Sequence, residues 1–365
     1  MRWFILVFLS IYLLMNLYVY MKLRHRAILL VFALGFFSPF LMRYADANFS
    51  PSLSYIIGLG TLLYMGSLLY LVISFLLLDL YSLFVRAMHS IFGINPLPRP
   101  NRRLSIVIAL LLALSLSAYS HYETLKPEVY HFHIKTDKVS QKRIRIMHIS
   151  DVHLGPVMGM DKVKLIKEVY EKYKPDLLVS TGDLVDGNMK RKDGLAQALR
   201  EMSPPLGKFA VLGNHEYYRG IQQAIEFTEN AGFVLLRGDW VDLGSIIVVG
   251  VDDDDCRFFN ACVGPLSEYD VLKDLPKDNF ILVLKHKPRV DKRALGLFDL
   301  MLAGHTHGGV YYPVGKFIIP RLFDANAGWV ELGKGSALFV SKGVGTGGPP
   351  MRFFAPPDMA IIDIE

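Results

Sequence analysis

The run RIRIMHISDVHLG at residues 143–155 decides the fold class of the C-terminal part of the chain. Its first half is rich in the β-branched residue isoleucine, which predicts a strand at 143–148. Its second half places Asp151 and His153 directly after that strand. Such polar side chains are costly beside an apolar strand unless a partner compensates for their burial. The run therefore predicts a sheet with reactive residues at its strand ends.

Downstream of this run, apolar stretches alternate with amphipathic ones. Helical periodicity predicts helices at 162–173 and 222–230. Strands that alternate with helices indicate an α/β layered domain with a buried sheet, and about 245 residues are enough for one such domain. The further strands are predicted at 176–180, 209–212, 246–251, 280–284, 299–302 and 337–340.

Upstream of residue 121 the sequence is strongly apolar. The first 120 residues hold nine Lys and Arg but only two acidic residues, so the net charge of +6 comes from this part. The remainder is nearly neutral, which excludes a domain-sized basic surface for nucleic acid. Because a bilayer core of about 30 Å needs about 20 helical residues, the apolar stretches predict membrane spans. We expect four spans, near 3–21, 27–42, 53–78 and 104–120; the alternative for the second, which contains Pro39, is a re-entrant segment.

Basic residues in short loops predict the orientation of these spans. The loops after the first and third spans carry seven Lys and Arg, whereas the N-terminus and the loop after the second span carry one each. Cytoplasmic loops are enriched in Lys and Arg, so both termini are expected to face outward. The prediction is a multi-pass plasma-membrane protein with a transmembrane region at 1–120, a linker or edge strand at 121–142, and a periplasmic or extracellular domain at 143–365.

Two other local features leave alternatives open. Cys256 and Cys262 are the only cysteines, and an outward location would permit a disulfide between them. The alternative is two unpaired thiols in a loop. The acidic run 252–255 lacks the ligand spacing of an EF-hand loop, so we interpret it as a solvated loop rather than a calcium site.

Five polar motifs follow predicted strands, in a fixed order along the chain. Ligand residues collect at the carboxyl ends of strands in α/β sheets, so we expect these motifs to meet. Asp, His and Asn together suit a borderline divalent cation such as Mn, Fe or Zn. Each motif alone is common by chance, but five in order predict a metal site. They are Asp151-Val-His153, Gly182-Asp183, Gly213-Asn214-His215-Glu216, His286 and Gly304-His305-Thr-His307.

This ordered series resembles the calcineurin-like metallophosphoesterase family, whose pattern is D-x-H, G-D, G-N-H-[E/D], H and G-H-x-H. The resemblance covers about residues 143–365 and is closest to membrane-associated bacterial members, which have a similar tail at 349–352. It implies a layered β-sandwich of the α/β class that hydrolyses phosphoric ester or anhydride bonds. The four predicted spans lie outside the resemblance.

The resemblance also implies a role for each matching residue. His215 would protonate the leaving oxygen or stabilise the transition state. Two divalent ions, of Mn, Fe or Zn, would be bound: one by Asp151, His153 and His307, the other by Asn214, His286 and His305, with Asp183 bridging them. Apart from the resemblance, we interpret Asp186 and Glu216 as side chains that either orient the ligand residues or cap the following turn.

One departure from the superfamily pattern narrows the function. Gly187-Asn188 stands where phosphoprotein phosphatases have Arg-Gly, which disfavours a phosphoprotein substrate. We expect a membrane-anchored phosphoesterase that acts on a phosphodiester, pyrophosphate or phosphomonoester in a small phosphorylated molecule or a lipid-linked envelope substrate at the bilayer. One alternative is a UDP-diacylglucosamine-type pyrophosphatase, if the domain is cytoplasmic. Another is a non-enzymatic metal-binding membrane sensor, for which some of the ligand residues should be missing.

Overall fold

The computed structural model describes residues 2–93, 98–139, 143–190 and 192–365. The predicted linker at 121–142 therefore lies partly outside the described residues. The chain divides into two compact units. The helical unit comprises Met1–Tyr122 and Gly348–Met351, and the globular unit comprises Glu123–Gly347 and Arg352–Glu365.

The helical unit consists of long apolar helices, as the sequence predicted. Each is long and apolar enough to cross a membrane, by length and composition. They are α1 (Arg2–Leu23), α2 (Arg26–Asn48), α3 (Pro51–Phe92) and α4 (Arg102–Glu123).

Helix α3 is longer than the predicted span at 53–78. Its 42 residues would extend about 63 Å, twice the thickness of a bilayer core. The helix continues because residues 79–92 contain no proline or glycine, and it ends at Gly93, which adopts the left-handed conformation (φ 65°) typical of helix C-termini. The acidic side chain within this helix, Asp79, is paired with Lys22 of α1 at 2.5 Å and accepts a hydrogen bond from Tyr18 at 2.7 Å.

The globular unit contains two six-stranded mixed sheets. The first has the strand order β1-β12-β2-β3-β4-β5, in which β2, β3, β4 and β5 are parallel. Its strands are β1 (Glu128–Ile134), β2 (Ile144–Ile149), β3 (Leu177–Ser180), β4 (Lys208–Ala210), β5 (Val234–Leu235) and β12 (Asp358–Ile364).

The second sheet has the order β10-β11-β9-β8-β7-β6, in which β11, β9, β8 and β7 are parallel. Its strands are β6 (Asp239–Asp242), β7 (Ile246–Val251), β8 (Phe280–Lys285), β9 (Leu300–Ala303), β10 (Gly328–Gly333) and β11 (Ser336–Val340). The remaining helices are α5 (Met160–Tyr173), α6 (Asp193–Arg200), α7 (Asn214–Arg219), α8 (Ile221–Asn230), α9 (Glu268–Leu272) and α10 (Val314–Phe317).

Alternate side chains of the central strands fill two different cores. In β7, Ile246 and Val248 pack in the core between the sheets, whereas Ile247 and Val249 pack on the outer face of the second sheet. Burial on both faces explains why these strands are continuous apolar runs. Helices α5, α6 and α8 cover the outer face of the first sheet. The α/β layered sandwich is therefore confirmed.

Candidate metal centre

All seven predicted metal-ligand residues lie at one end of the sandwich. Asp151 and His153 follow β2, Asp183 follows β3, and Asn214 begins α7 just after β4. His286 follows β8, and the pair His305 and His307 follows β9. Because the parallel strands of each sheet end at the same edge, the loops from both sheets meet there.

The first set of ligand residues converges on one point. The Nε2 atoms of His153 and His307 are 3.1 Å apart. The Asp151 Oδ1 atom lies 3.5 Å from His307 Nε2 and 3.9 Å from His153 Nε2. One carboxylate oxygen and two imidazole nitrogens thus face each other, as around a common cation.

The second set converges beside the first. His286 Nε2 lies 3.0 Å from Asn214 Oδ1 and 3.1 Å from His305 Nδ1. The Oδ2 atom of Asp183 lies 3.3 Å from His286 Nε2 and 3.8 Å from His153 Nε2, which belongs to the first set. Asp183 is therefore the carboxylate that both sets share.

The backbone at this centre is held in an unusual conformation. Left-handed φ angles occur at Asp151 (51°), His153 (53°), Asp183 (49°), His305 (72°) and His307 (50°). This conformation is uncommon for residues other than glycine and costs about 1–3 kcal/mol each. The surrounding fold imposes it, and the five side chains are aimed at one another as a result.

Steric contacts explain why glycines stand next to the ligand residues. A Cβ atom at Gly304 would overlap the side chains of Ser150 and Asp151. A Cβ atom at Gly213 would overlap Asp183. Glycine is therefore required before Asn214 and before His305, because at both positions the backbone lies directly against side chains of another loop.

The chemistry of these side chains fits two divalent cations. Asp151 and Asp183 are buried, and buried carboxylates require compensating charge. Burial lowers the pKa of His305 and of His307 well below the usual value, so both imidazoles are neutral and able to act as ligands. Carboxylate oxygens, imidazole nitrogens and one amide oxygen form a suitable donor set for Mn, Fe or Zn.

His215 lies at the rim of this centre, beside Asp186. Its Nδ1 atom is 2.9 Å from Asp186 Oδ1, and its Nε2 atom is 4.0 Å from Asp183 Oδ2. Burial lowers the pKa of His215, but the carboxylates of Asp183 and Asp186 outweigh that effect and raise it to about 9. Asp186 is in turn held by Arg219, whose Nε donates to it at 2.6 Å.

The side chain of Glu216 connects two of the motifs by hydrogen bonds. Its carboxylate accepts hydrogen bonds from the backbone N–H of Gly213 at 2.8 Å, Asp183 at 3.0 Å and Val185 at 2.9 Å. The side chain therefore caps the start of α7 and also fixes the loop that carries Asp183.

The acidic run 252–255 is not the solvated loop that the sequence suggested. Asp252 and Asp253 are only 1–2% exposed. The Lys287 Nζ atom lies 2.7–2.8 Å from carboxylate oxygens of Asp253, Asp254 and Asp255. An ammonium group thus occupies the position that a metal cation would take, and the run forms a partly buried ion-pair network next to His286.

Two groups outside the ligand set support the centre. Of the two alternatives that the sequence left open for Cys256 and Cys262, the structure has the disulfide, which closes the loop beside the acidic run. Arg352 is fully buried, with a guanidinium nitrogen 3.0 Å from His307 Nδ1. Spacing along the chain gave no signal for this contact of Arg352, because the two residues are 45 positions apart.

Comparisons with known proteins agree with this geometry. Residues 144–309 match the family described as calcineurin-like phosphoesterase. A protein of Aquifex aeolicus named "Uncharacterized metallophosphoesterase" is 50% identical over 258 residues, which are 70% of this chain and 98% of that protein. A metallophosphoesterase of Campylobacter jejuni is 30% identical over 72% of this chain and 71% of its own length. A Danio rerio "Transmembrane protein with metallophosphoesterase domain" is 28% identical over 67% of this chain and 59% of that protein.

Proposed function

Because this chain belongs to the calcineurin-like metallophosphoesterase family, we propose that it hydrolyses a phosphodiester, pyrophosphate or phosphomonoester bond in a lipid-linked or envelope molecule. The family uses a dinuclear divalent metal centre. The observation that carries the proposal is the convergence of two carboxylates, four imidazoles and one amide beside His215. A binding module that had lost catalysis would have no need to retain all of them.

In this proposal each set of ligand residues would hold one cation, and Asp183 would be shared between them. Bound divalent cations supply Lewis-acid stabilisation of phosphoryl charge and make a nearby water more acidic. The strand-end loops described above would position these cations. The first cation is assigned to Asp151, His153 and His307, and the second to Asn214, His286 and His305.

His215 is assigned to the leaving group. Its Nδ1 atom faces Asp186, which keeps that nitrogen protonated and leaves Nε2 directed toward the metal ligands. The neighbouring carboxylates raise the pKa of the ring, which favours its protonated form. A protonated Nε2 can donate to the phosphoryl oxygens or to the leaving oxygen, which is the role of a general acid.

The four candidate membrane spans favour a substrate that is itself linked to a lipid. Four helices long and apolar enough to span a bilayer precede the globular unit. An enzyme held in the membrane meets a lipid-linked substrate by a search in two dimensions.

The identity of the native metal, whether Mn, Fe or Zn, depends on which metal is available to the protein as well as on the donor set.

The proposed orientation puts the globular unit outside the cytoplasm. The uneven distribution of basic residues between the loops supports it. The disulfide between Cys256 and Cys262 supports it independently, because disulfides persist in oxidising compartments. A nucleotide-linked lipid made in the cytoplasm is less compatible with this arrangement than an envelope phosphodiester.

The proposal is tested on the full chain in detergent, loaded with Mn²⁺. We expect hydrolysis of bis-p-nitrophenyl or p-nitrophenyl phosphate that a chelator abolishes. Asp183→Asn should lower turnover more than about 100-fold, because it weakens the ligand that both cations share. The matched control is Asp161→Asn, the same change on an exposed carboxylate of α5.

The ratio of turnover on bis-p-nitrophenyl phosphate to turnover on p-nitrophenyl phosphate distinguishes diesterase from monoesterase activity. Absence of turnover on these two esters and on a pyrophosphate, by a folded and metal-loaded protein, would contradict the proposal and favour a metal-binding sensor.

A further inference from the structure

An apolar surface lies next to the candidate metal centre. We call it the apolar patch; its five side chains are each at least half exposed. Clustered large apolar side chains on a surface mark a contact with a protein or a membrane. The apolar patch consists of Tyr312, Phe317, Ile318, Leu322 and Phe354.

The apolar patch is fixed to the metal centre by packing. Most of it lies in the segment 310–323, which follows His307 within three residues. At the end of this segment, the ring of Phe323 packs edge-on against the ring of His305, with centroids 5.1 Å apart. Tyr312 packs against Phe354 at 6.4 Å. Whatever covers the patch is therefore held close to the reacting atoms.

Cationic side chains are interleaved with the apolar ones. Lys316 and Arg321 are exposed within the same segment. The guanidinium of Arg289 lies over the ring of Phe323 at 4.9 Å. Aromatic and aliphatic side chains combined with Lys and Arg are typical of elements that lie in the headgroup region of a membrane.

We propose that the apolar patch inserts into the interfacial region of a bilayer that contains anionic lipid. The chain itself supplies the reason to choose a bilayer, because it carries four helices apolar enough to span one. Only four residues separate the end of α4 at Glu123 from the start of β1 at Glu128. A second copy of the chain fits less well, since a two-fold contact would bring this cationic surface, with Lys316 and Arg321, against the same cationic surface of the other copy.

This insertion would present the metal centre at the level of lipid headgroups. It does not depend on which bond is hydrolysed, so its failure and the failure of the proposed function are separate results. The test measures depth in the membrane and requires no turnover.

The experiment uses the oxidised full chain at one copy per lipid nanodisc. Phe317→Cys carries a nitroxide label, and the matched control is Val234→Cys on β5, which is also apolar and half exposed. We expect the ratio of O₂ to nickel-chelate accessibility to be roughly tenfold higher at 317 than at 234, because interfacial insertion excludes the polar reagent.

A second variant tests the cations. Lys316→Gln with Arg321→Gln should lower the ratio of inserted to aqueous label about 30-fold in discs with anionic lipid. In discs of phosphatidylcholine alone the same change should have little effect.

Three results would overturn the proposal. Equal accessibility of the labels at 317 and 234 to the nickel chelate would show that residue 317 stays in water. Protection of the label at 317 from the nickel chelate only when two copies share a disc would assign the patch to self-association. Protection that needs an added lipid-linked phosphoester would assign it to the acyl chains of a substrate.

Discussion

At the scale of single residues, a buried chain of hydrogen bonds leads from strand β2 to the candidate metal centre. The Nε2 atom of His148 is 2.8 Å from the hydroxyl of Thr181, which donates to Ser150 at 2.8 Å. Ser150 in turn donates to Asp151 Oδ2 at 2.5 Å. All four side chains are fully buried. The chain therefore fixes one carboxylate oxygen of Asp151 before any cation is bound.

Ser150→Ala should weaken metal binding. It removes the hydrogen bond that orients Asp151, and the loss of such a supporting partner typically lowers metal affinity 10–100-fold. Titration of the metal-free full chain with Mn²⁺ in a calorimeter measures the effect. Ser203→Ala, at an exposed position between α6 and β4, is the control. An affinity equal to that of the wild type would show that the hydroxyl does not position the carboxylate.

His148 predicts a pH dependence of stability. Burial lowers its pKa to about 3, and its Nδ1 atom has no hydrogen-bond partner. The folded state therefore resists protonation that the unfolded chain accepts below about 6.5. This contribution to stability is fully present above that pH and is lost by about 1.4 kcal/mol per unit as pH falls toward 3.

His148→Gln should remove this part of the slope, because glutamine can still donate to Thr181 but does not titrate. The measurement is the free energy of unfolding from urea titrations at pH 4 to 7, followed by tryptophan fluorescence. Parallel curves for the variant and the wild type would contradict the assignment of this slope to His148.

At the scale of elements, the disulfide loop braces the helix that carries His215. We define the disulfide loop as residues 253–262, closed by Cys256 and Cys262. Its Asp255 accepts a hydrogen bond from the hydroxyl of Tyr218, on α7. The Tyr218 ring lies 5.7 Å from the ring of His215. The loop thus supports His215 by way of one tyrosine.

Tyr218→Phe should lower kcat on bis-p-nitrophenyl phosphate about 3- to 10-fold, because it removes one hydrogen bond behind His215. The Mn²⁺ affinity and KM should change little, since the ligand residues keep their own partners. This split between kcat and KM separates positioning of His215 from general destabilisation. Tyr269→Phe on α9 is the control. A loss of metal affinity together with kcat would mean that the loop holds the whole centre.

Elements that follow from local pattern were predictable, and those that depend on distant partners were not. Strand β7 is an uninterrupted apolar run, and its predicted bounds match the structure. The ligand residues stood out because polar side chains directly follow such runs. The chain from Thr181 to Ser150 depends on β2 and β3 being neighbours, which spacing alone does not give. Likewise Lys287 neutralises an acidic run more than 30 residues away, so that run looked solvated.

At the scale of the whole molecule, charge is divided between the two parts of the chain. The apolar first 120 residues carry the excess of basic residues, and the remainder is nearly neutral. Seven of the nine basic residues lie in the loops after the first and third spans. Because positively charged loops are retained in the cytoplasm, we expect an even number of spans to place both chain ends on the other side.

The orientation is tested by reporters fused to the chain. Alkaline phosphatase joined by a flexible linker after Glu365 should be active, and a green fluorescent protein at the same place should be dark. The same two reporters fused after Gly93, at the end of α3, should give the opposite result, because that loop is expected to be cytoplasmic.

Fluorescence without phosphatase activity at Glu365 would place the globular unit in the cytoplasm. There the thiols of Cys256 and Cys262 would be kept reduced, and the disulfide loop would lose its closure. A cytoplasmic nucleotide-linked lipid would then become the better candidate substrate. The orientation of the membrane helices therefore decides which pool of phosphorylated molecules the metal centre meets.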